Sequence, residues 1–209
     1  MSVVIVGAGG FGREVNQYIR DIGTHEVRGF LDDHATAVEP ASLGLEVLGT
    51  VRDYEPLEDD LVVLAIGRPD LRVSIATELR ERGARFLSVI HPLAWVADTA
   101  VVGAGSIIAP FATVGAHAML GDNVVMTFYS SVAHDARIGE GSALSPYSVA
   151  NGGAELGVAA FLGAGAIVNP LKKVGDHSRV AAASVVYRDV PTRSLASGNP
   201  AKSRPLLGS

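Results

Sequence analysis

The chain has 209 residues, of which 48% are hydrophobic and 19% are charged, and its formal net charge is -5. This balance is typical of an ordinary globular protein with one large or two modest domains, and it argues against a largely disordered chain. Because the net charge is negative, the chain lacks the overall positive charge that is typical of nucleic-acid-binding proteins. The sequence contains no cysteine, which excludes disulfides, a thiolate nucleophile and cysteine-bound zinc.

The N-terminal sequence passes from Met1 directly into an apolar run, with no basic leader before it. No apolar segment reaches the length of about 18 residues that a membrane-spanning helix needs. We therefore expect a cytoplasmic protein without membrane insertion.

The first elements predicted are a strand over residues 2–6, a glycine turn and an amphipathic helix that ends near residue 22. The turn has the spacing G-x-G-x-x-G, which places bare backbone amides at a helix start, where they could face a phosphate. The predicted second strand, residues 27–31, ends at an acidic pair about twenty residues further on, where dinucleotide-binding sheets hold a ribose. The alternatives are a turn that only packs helix on strand, and aspartates that cap a strand end. The candidate binding residues here are Gly7, Gly9, Gly10, Phe11, Gly12, Asp32 and Asp33.

A third strand is predicted over residues 61–66, followed by Gly67 and Arg68, a helix over about residues 70–81 and a strand over residues 86–90. These elements predict a small, Rossmann-like βαβ domain over residues 1–89. A second mononucleotide-binding half is missing, because a different pattern starts at residue 90. NAD is therefore an unfavoured ligand, and a single nucleotide, with or without a sugar, is the expected one.

From Ile90 to Val186 every sixth residue is apolar, through seventeen consecutive hexads. Two residues before each apolar position lies a small residue, with Val124 and Lys172 as the exceptions. Neither a helix nor a single strand repeats with a period of six. The pattern predicts a three-sided prism whose faces are short parallel strands, with the apolar residue inside and the small residue at the corner. Glycines follow many of the apolar positions, where a bend tolerates no bulk or needs an unusual φ.

These hexads resemble the hexapeptide-repeat acyltransferases, whose fold is a left-handed parallel β-helix. Together with the N-terminal domain, the segment Ile90-His91-Pro92 and the tail Gly198-Asn199-Pro200-Ala201-Lys202, the chain resembles the bacterial sugar acetyltransferases of the PglD/NeuD type. The resemblance implies a β-helix over residues 90–190, a tail over residues 191–209 beside the coenzyme, and acetyl-CoA as acyl donor. It also implies an amino group or hydroxyl of a nucleotide-linked or free sugar as acceptor, and a homotrimer with active sites between adjacent prisms.

Acyl transfer from a thioester needs a base for the acceptor and hydrogen-bond donors for the oxyanion. In the family the base belongs to a His-Asp or His-Glu pair ahead of an apolar-Gly hexad, and the matching pair is His134-Asp135. His134 is the expected base and Asp135 the residue that orients it. Gly152 lies one coil of eighteen residues later, where the resemblance implies that its N–H faces the thioester carbonyl. The alternatives are a histidine bonded to a turn carbonyl and a plain corner glycine.

The resemblance also implies further binding residues. Acceptor contacts are expected at Gly67, Arg68, Thr127 and Tyr129, besides the glycine turn. Coenzyme contacts are expected further along the edge that carries His134 and at the tail, at Ala143, Gly152, Ala164, Ala182, Asn199, Pro200 and Lys202.

The sequence departs from the family at several of these positions. Phe11 stands where the family usually has histidine, and Arg68 where it commonly has asparagine. Ala143 replaces a second histidine, and Tyr129 and its neighbours replace asparagine and small residues. The acceptor is therefore expected to be a different sugar, or a small molecule without a nucleotide.

Two other classes of function stay open. The γ-class carbonic anhydrases share the β-helix and bind zinc through three histidines, and His117 and His134 lie seventeen residues apart; the third ligand is missing, so no metal is expected. The other alternative is a non-catalytic scaffold or a sensor of nucleotide sugars.

Overall fold

The computed structural model describes residues 1–34 and 45–206. The first part is a five-stranded parallel sheet with the strand order β3-β2-β1-β4-β5. Its elements are β1 (Ser2–Val6), α1 (Gly10–Ile22), β2 (Glu26–Leu31), β3 (Val47–Gly49), β4 (Asp60–Leu64), α2 (Pro69–Glu81) and β5 (Arg85–Phe86). Neither helix is long and apolar enough to cross a membrane, within the residues that the structure describes.

The two helices cover opposite faces of this sheet. Val3 and Ile5 belong to the core under α1, whereas the alternate residues Val4 and Val6 belong to the core under α2, as the period of a strand requires. The chain runs outward in one direction from β1 to β3 and then returns to the other side at β4. Ligands of such sheets bind at the carboxyl ends of the two strands where the order reverses, here β1 and β4.

The predicted elements of this domain are confirmed, with two differences. β3 was not predicted, because it is a strand of only three residues at the sheet edge. The strand predicted over residues 86–90 is two strands: β5 closes the first sheet, and Val89–Ile90 already belongs to the repeat region. The chain changes sheets at residues 87–88.

The repeat region is a parallel solenoid of two-residue strands, and every third strand shares a face, so pairing advances by eighteen residues; Val114, for example, pairs with Val132. The strands are β6 (Val89–Ile90), β7 (Trp95–Val96), β8 (Val101–Val102), β9 (Ile107–Ile108), β10 (Thr113–Val114), β11 (Met119–Leu120), β12 (Val125–Met126), β13 (Ser131–Val132), β14 (Arg137–Ile138), β15 (Ala143–Leu144), β16 (Val149–Ala150), β17 (Glu155–Leu156), β18 (Phe161–Leu162), β19 (Ile167–Val168), β20 (Lys173–Val174), β21 (Arg179–Val180) and β22 (Val185–Val186). A hairpin of β23 (Ser194–Gly198) and β24 (Ala201–Pro205) continues the sheet of β21.

The hexad residues fill the prism as predicted. From Ile108 to Val186 they are buried, and the small residues before them, such as Ala112 and Ser130, are buried at the corners. Ile90 is exposed; its predicted burial is wrong because no coil lies beneath the first strand. The glycines after the apolar positions are needed for space: a Cβ at Gly115 would lie 2.6 Å from the backbone nitrogen of His134 in the next coil.

The solenoid has three edges, each a column of two-residue corners linked by backbone hydrogen bonds. The histidine edge comprises residues 116–117, 134–135, 152–153 and 170–171, in which Gly153 N–H donates to His134 O and Leu171 N–H to Gly152 O. The aromatic edge comprises residues 110–111, 128–129, 146–147, 164–165 and 182–183. The domain edge comprises residues 104–105, 122–123, 140–141, 158–159 and 176–177.

Helix α2 covers the domain edge, and the fully buried Arg72 is the central contact. Its guanidinium donates to the carbonyl oxygens of Ile66, of Asn123 at 3.0 Å and of Gly141 at 2.6 Å. Burial lowers the pKa of Arg72 to about 10. At the ends of α2, Asp70 and Arg80 make ion pairs to the same edge. A buried arginine, hydrogen-bonded to backbone carbonyl oxygens of both domains, therefore joins them.

Candidate active site

His134 leaves the prism at the histidine edge, and its side chain is 70% exposed. The two-residue corner turns the backbone so that Asp135, at φ 60, lies beside it. His134 Nδ1 is 2.8 Å from Asp135 Oδ2. Because a carboxylate only accepts, Nδ1 donates in this contact, and in the neutral imidazole Nε2 is then the nitrogen that can accept a proton. This is the arrangement of an oriented general base.

Gly152 lies directly beside the imidazole, one coil above, as predicted. A Cβ at Gly152 would lie 2.7 Å from His134 Nε2 and 2.8 Å from Cε1, so only glycine leaves room at this position. The N–H of Gly152 has no acceptor within the described chain. A free amide next to the free imidazole nitrogen can donate to an oxyanion.

An open depression of about 470 Å³ lies around these two residues. It is lined mainly by glycines and apolar side chains: Ala133, His134, Asp135, Asn151, Gly152, Gly153, Pro170 and Leu171. His134 and Asp135 are the titratable groups in this lining, so the depression offers a base within a mostly apolar surface.

The expected coenzyme residues are distributed differently from the prediction. Ala164 and Ala182 lie on the aromatic edge, since Ala183 N–H donates to Ala164 O; their predicted place on the edge of His134 is wrong. The reason is arithmetic, because eighteen residues separate neighbours on one edge and thirty separate His134 from Ala164. Their own N–H groups have no acceptor in the described residues. Asn199, Pro200 and Lys202 lie in the exposed hairpin that ends the solenoid.

A second pocket, of about 150 Å³, lies between the two domains at the carboxyl end of β4 and the first turn of α1. It brings together four predicted site residues, Phe11, Gly67, Thr127 and Ala143. Its other lining residues were not predicted as site residues: Val125, Leu144, Ser145 and Phe161. Ala143 was expected at the coenzyme but lies here, and Tyr129 is absent from this lining and lies on the aromatic edge. The pocket is mostly apolar and separate from His134.

The glycines of the turn divide into two groups. A Cβ at Gly7 would lie 2.7 Å from Ala65 O, and one at Gly12 would overlap the carbonyl oxygen of Gly7, so these two serve packing. Gly9, Gly10 and Gly67 have no such neighbours. Helix α1 has no side-chain cap and no acidic residue in its first turn. The N-terminus of α1 therefore keeps free amides beside open space, as an anion site requires.

Asp32 and Asp33 serve the fold. Asp32 accepts from the N–H groups of Ala8 and His34, both at 2.8 Å, and Asp33 accepts from Val51 N–H at 2.8 Å. One oxygen of Asp32 thus binds the glycine turn, and the other binds the backbone just after β2. This agrees with the alternative given above, in which the two aspartates cap the end of a strand. Arg68, at the start of α2, is exposed.

The zinc alternative finds no support. Among the described residues, no three histidine, aspartate or glutamate side chains are grouped as metal ligands. His117 lies one coil below His134 on the histidine edge, without a third ligand beside them.

Known proteins are similar to this chain in sequence and fold. The family model for the PglD N-terminal domain matches residues 2–79. The chain is similar to PerB from Caulobacter crescentus, solved in complex with CoA and GDP-perosamine, at 32% identity over 98% of this chain and 97% of that one, with a TM-score of 0.88. It is similar to the acetyltransferase domain of PglB from Neisseria gonorrhoeae at 28% identity over 97% of this chain and 99% of that one, with a TM-score of 0.90. It is also similar to WeeI from Acinetobacter baumannii at 27% identity over 98% of this chain and 100% of that one, with a TM-score of 0.88. A search of curated proteins finds no match.

The solenoid and its similarity to these acetyltransferases show the class: the protein is a hexapeptide-repeat acyltransferase. The match to the PglD N-terminal domain and the similarity to PerB over nearly the whole chain identify the family within this class. The chain belongs to the PglD-type family of sugar acetyltransferases.

Proposed function

We propose that this protein transfers the acetyl group of acetyl-CoA to an amino group of a nucleotide-linked sugar, with His134 as the general base. One observation carries the proposal: Asp135 lies 2.8 Å from Nδ1 of the His134 imidazole, whose Nε2 lies beside Gly152. The base and the amide donor of an acyl transfer thus stand next to each other on one edge.

The reaction is a direct transfer. The acceptor nitrogen attacks the thioester carbonyl, and His134 Nε2 takes the proton that this nitrogen loses. Asp135 stabilises the imidazolium, while Gly152 N–H donates to the oxyanion. The intermediate then releases the coenzyme thiolate, which takes the proton back from His134. No covalent enzyme intermediate is required.

Acetyl-CoA as donor is supported by PerB, which was solved with CoA. In this chain the unpaired N–H groups of Ala164 and Ala182 are donors suited to the amide carbonyls of a pantetheine arm. Lys202 in the exposed tail hairpin is a cation suited to the coenzyme phosphates.

A nucleotide-linked acceptor is supported by the free amides of α1 beside Gly9 and Gly10 and by PerB, which was solved with GDP-perosamine. The pocket of Phe11, Ala143 and Phe161 suits the apolar edge of a sugar with few hydroxyl groups. We propose the cytoplasm as the location of the protein.

We also propose that the active protein is a homotrimer. The acceptor pocket borders the aromatic edge, whereas His134 stands on the histidine edge. Because the two lie apart within one chain, a neighbouring copy has to bring its histidine edge to this pocket.

The test is thiol release from acetyl-CoA in the presence of amino sugars linked to GDP, UDP or dTDP. A thiol reagent reports it without background, because the protein has no cysteine. We expect turnover with at least one acceptor, and a loss of about 1,000-fold in His134→Ala. Unchanged turnover in a folded His134→Ala variant would overturn the role of His134. If none of these acceptors gives turnover, and NAD is the only ligand that raises the thermal midpoint, the proposed function is wrong.

A further inference from the structure

His91 is a buried histidine that the proposed reaction does not use. It follows β6 directly, where the chain enters the first coil, and its side chain is 7% exposed. The backbone N–H of Leu93 donates to His91 Nδ1 at 3.1 Å, so Nε2 is the nitrogen that can donate. Nε2 lies 3.1 Å from Oδ2 of Asp21, in the last turn of α1. The histidine thus connects the first coil of the solenoid to the N-terminal domain.

Both oxygens of the Asp21 carboxylate are engaged. Oδ2 faces His91, and Oδ1 accepts from Gln17 Nε2 at 2.7 Å. An acidic residue in the last turn of a helix is locally unfavourable, because that end of the helix carries a partial negative charge. Residues that depart from a local preference often serve a contact elsewhere in the molecule. For Asp21 the hydrogen bond to His91 is such a contact.

Aromatic contacts continue from His91 to the pocket between the domains. The buried Tyr18 of α1 packs edge-on against His91, with ring centroids 5.7 Å apart and an interplanar angle of 77°. Tyr18 packs in the same way against Phe128, at 5.9 Å and 84°. Phe128 follows Thr127, which lines the pocket that we propose for the acceptor. A continuous series of contacts therefore leads from His91 to the solenoid wall of this pocket.

The opposite wall of the pocket belongs to α1. Phe11, in the first turn of this helix, lines the pocket. Phe11 and Tyr18 are seven residues apart, which places them on one face of α1, about 10 Å apart along the helix axis. Because close-packed helices shift as units, a movement of α1 at Tyr18 also moves Phe11. The contacts at the last turn of α1 therefore affect the distance between Phe11 and Thr127.

We infer that His91 is a positioning residue for the acceptor: through Asp21 and Tyr18 it keeps α1 against the solenoid and so sets the width of the acceptor pocket. The inference rests on the proposed function, in which this pocket binds the acceptor sugar. His91 itself contacts neither substrate. The donors that we propose for the coenzyme lie on the aromatic edge and in the tail hairpin, away from α1. Loss of the His91 contacts should therefore weaken binding of the acceptor and leave binding of acetyl-CoA unchanged.

Steady-state kinetics of three variants test this role. In His91→Asn the side-chain oxygen can still accept from the N–H of Leu93, but the side chain is too short to reach Asp21. We expect KM for the acceptor to rise about tenfold, with kcat and KM for acetyl-CoA nearly unchanged. Asp21→Asn keeps an acceptor for Nε2 and should behave like wild type. Combining Asp21→Ala with His91→Asn should add little to the effect of His91→Asn, because both remove one contact. An unchanged KM for the acceptor in His91→Asn would overturn the inference.

Amide hydrogen exchange, measured by mass spectrometry, tests the contact without any turnover. We expect amides of α1 to exchange about tenfold faster in His91→Asn than in wild type. Asp21→Ala changes an exposed position and should have the same effect with the buried histidine intact. Arg80→Met is the control, because it removes ion pairs between α2 and the solenoid and should leave exchange in α1 unchanged. Unchanged exchange of α1 in both His91→Asn and Asp21→Ala would refute the positioning role, whereas wild-type protein that is inactive with every acceptor would refute the proposed function alone.

Discussion

The chemistry of the site comes from the first residue of a solenoid corner. In this position the side chain leaves the prism while the backbone N–H points out of the hydrogen-bonded ladder, as the unpaired amides of Gly152, Ala164 and Ala182 show. Neighbours on one edge are one coil apart, about 4.8 Å. A histidine at one corner and a glycine at the next thus place an imidazole beside a free amide without any special loop.

Gly152→Ala should abolish most activity while the protein stays folded. The new methyl group would lie 2.7 Å from His134 Nε2 and has to displace the ring from its position as base. The equivalent corner residue is alanine at positions 116, 164 and 182, so alanine is compatible with this type of corner. We expect kcat/KM to fall about 100-fold, from the misplaced base alone. A thermal midpoint near that of wild type is the control, and full activity would contradict the close contact.

Asp135→Asn tests the second half of the pair. The asparagine oxygen can still accept the hydrogen bond from His134 Nδ1, 2.8 Å away in the native protein, but it no longer stabilises an imidazolium by charge. We expect kcat to fall about 10- to 100-fold with KM for acetyl-CoA nearly unchanged. The measurement is steady-state thiol release at saturating acceptor. An unchanged kcat would show that the carboxylate has no part in the reaction.

At the scale of elements, the six-residue glycine turn at the start of α1 combines packing with the binding role that we propose for it. Gly12→Ala should destabilise the protein by about 2 kcal/mol, because the new Cβ overlaps the carbonyl oxygen of Gly7. Gly9→Ala has open space and should change stability by less than about 0.5 kcal/mol. Its effect should instead be on the acceptor, with KM raised about tenfold by a methyl group at the helix N-terminus. Urea denaturation and acceptor titration of both variants separate the two roles, and equal losses of stability would contradict the division.

The sequence predicted elements that repeat or alternate, and it missed those that depend on distant contacts. The hexads fixed the solenoid strands and placed His134 beside Gly152, because both follow from a period of six and a coil of eighteen. β3 is a short edge strand with little pattern of its own. Phe111, Tyr129 and Tyr147 stack on the aromatic edge; their spacing of eighteen residues is a sequence signal, but the period of six conceals it. Ala164 was expected on the edge of His134, because the coenzyme contacts of the family were all assigned to one edge. The spacing of thirty residues, which is not a multiple of eighteen, instead puts Ala164 on another edge.

At the scale of the whole molecule, the N-terminal sheet is held in a fixed position on the solenoid by α2. The contact surface includes apolar residues from both domains, such as Phe30 and Val125 in one core. Its buried polar group is Arg72, which no sequence pattern singled out, since one arginine on an amphipathic helix is ordinarily exposed. The pocket that we propose for the acceptor lies between the same two domains, so the way the domains are joined also sets the position of Phe11 relative to Thr127.

Arg72→Met should therefore cost more stability than any exposed ion pair of the interface. Methionine fills a similar volume, but it leaves the carbonyl oxygens of Asn123 and Gly141 buried without donors, and we expect a loss of about 3 kcal/mol. Arg80→Met is the matched control on the same helix: its ion pairs with Asp122 and Glu140 are 3.4 and 3.2 Å long and the arginine is 44% exposed, so the loss should stay below about 1 kcal/mol. Urea denaturation gives both values. Equal losses would mean that the carbonyl oxygens find other donors, and that the buried guanidinium does not fix the joint between the domains.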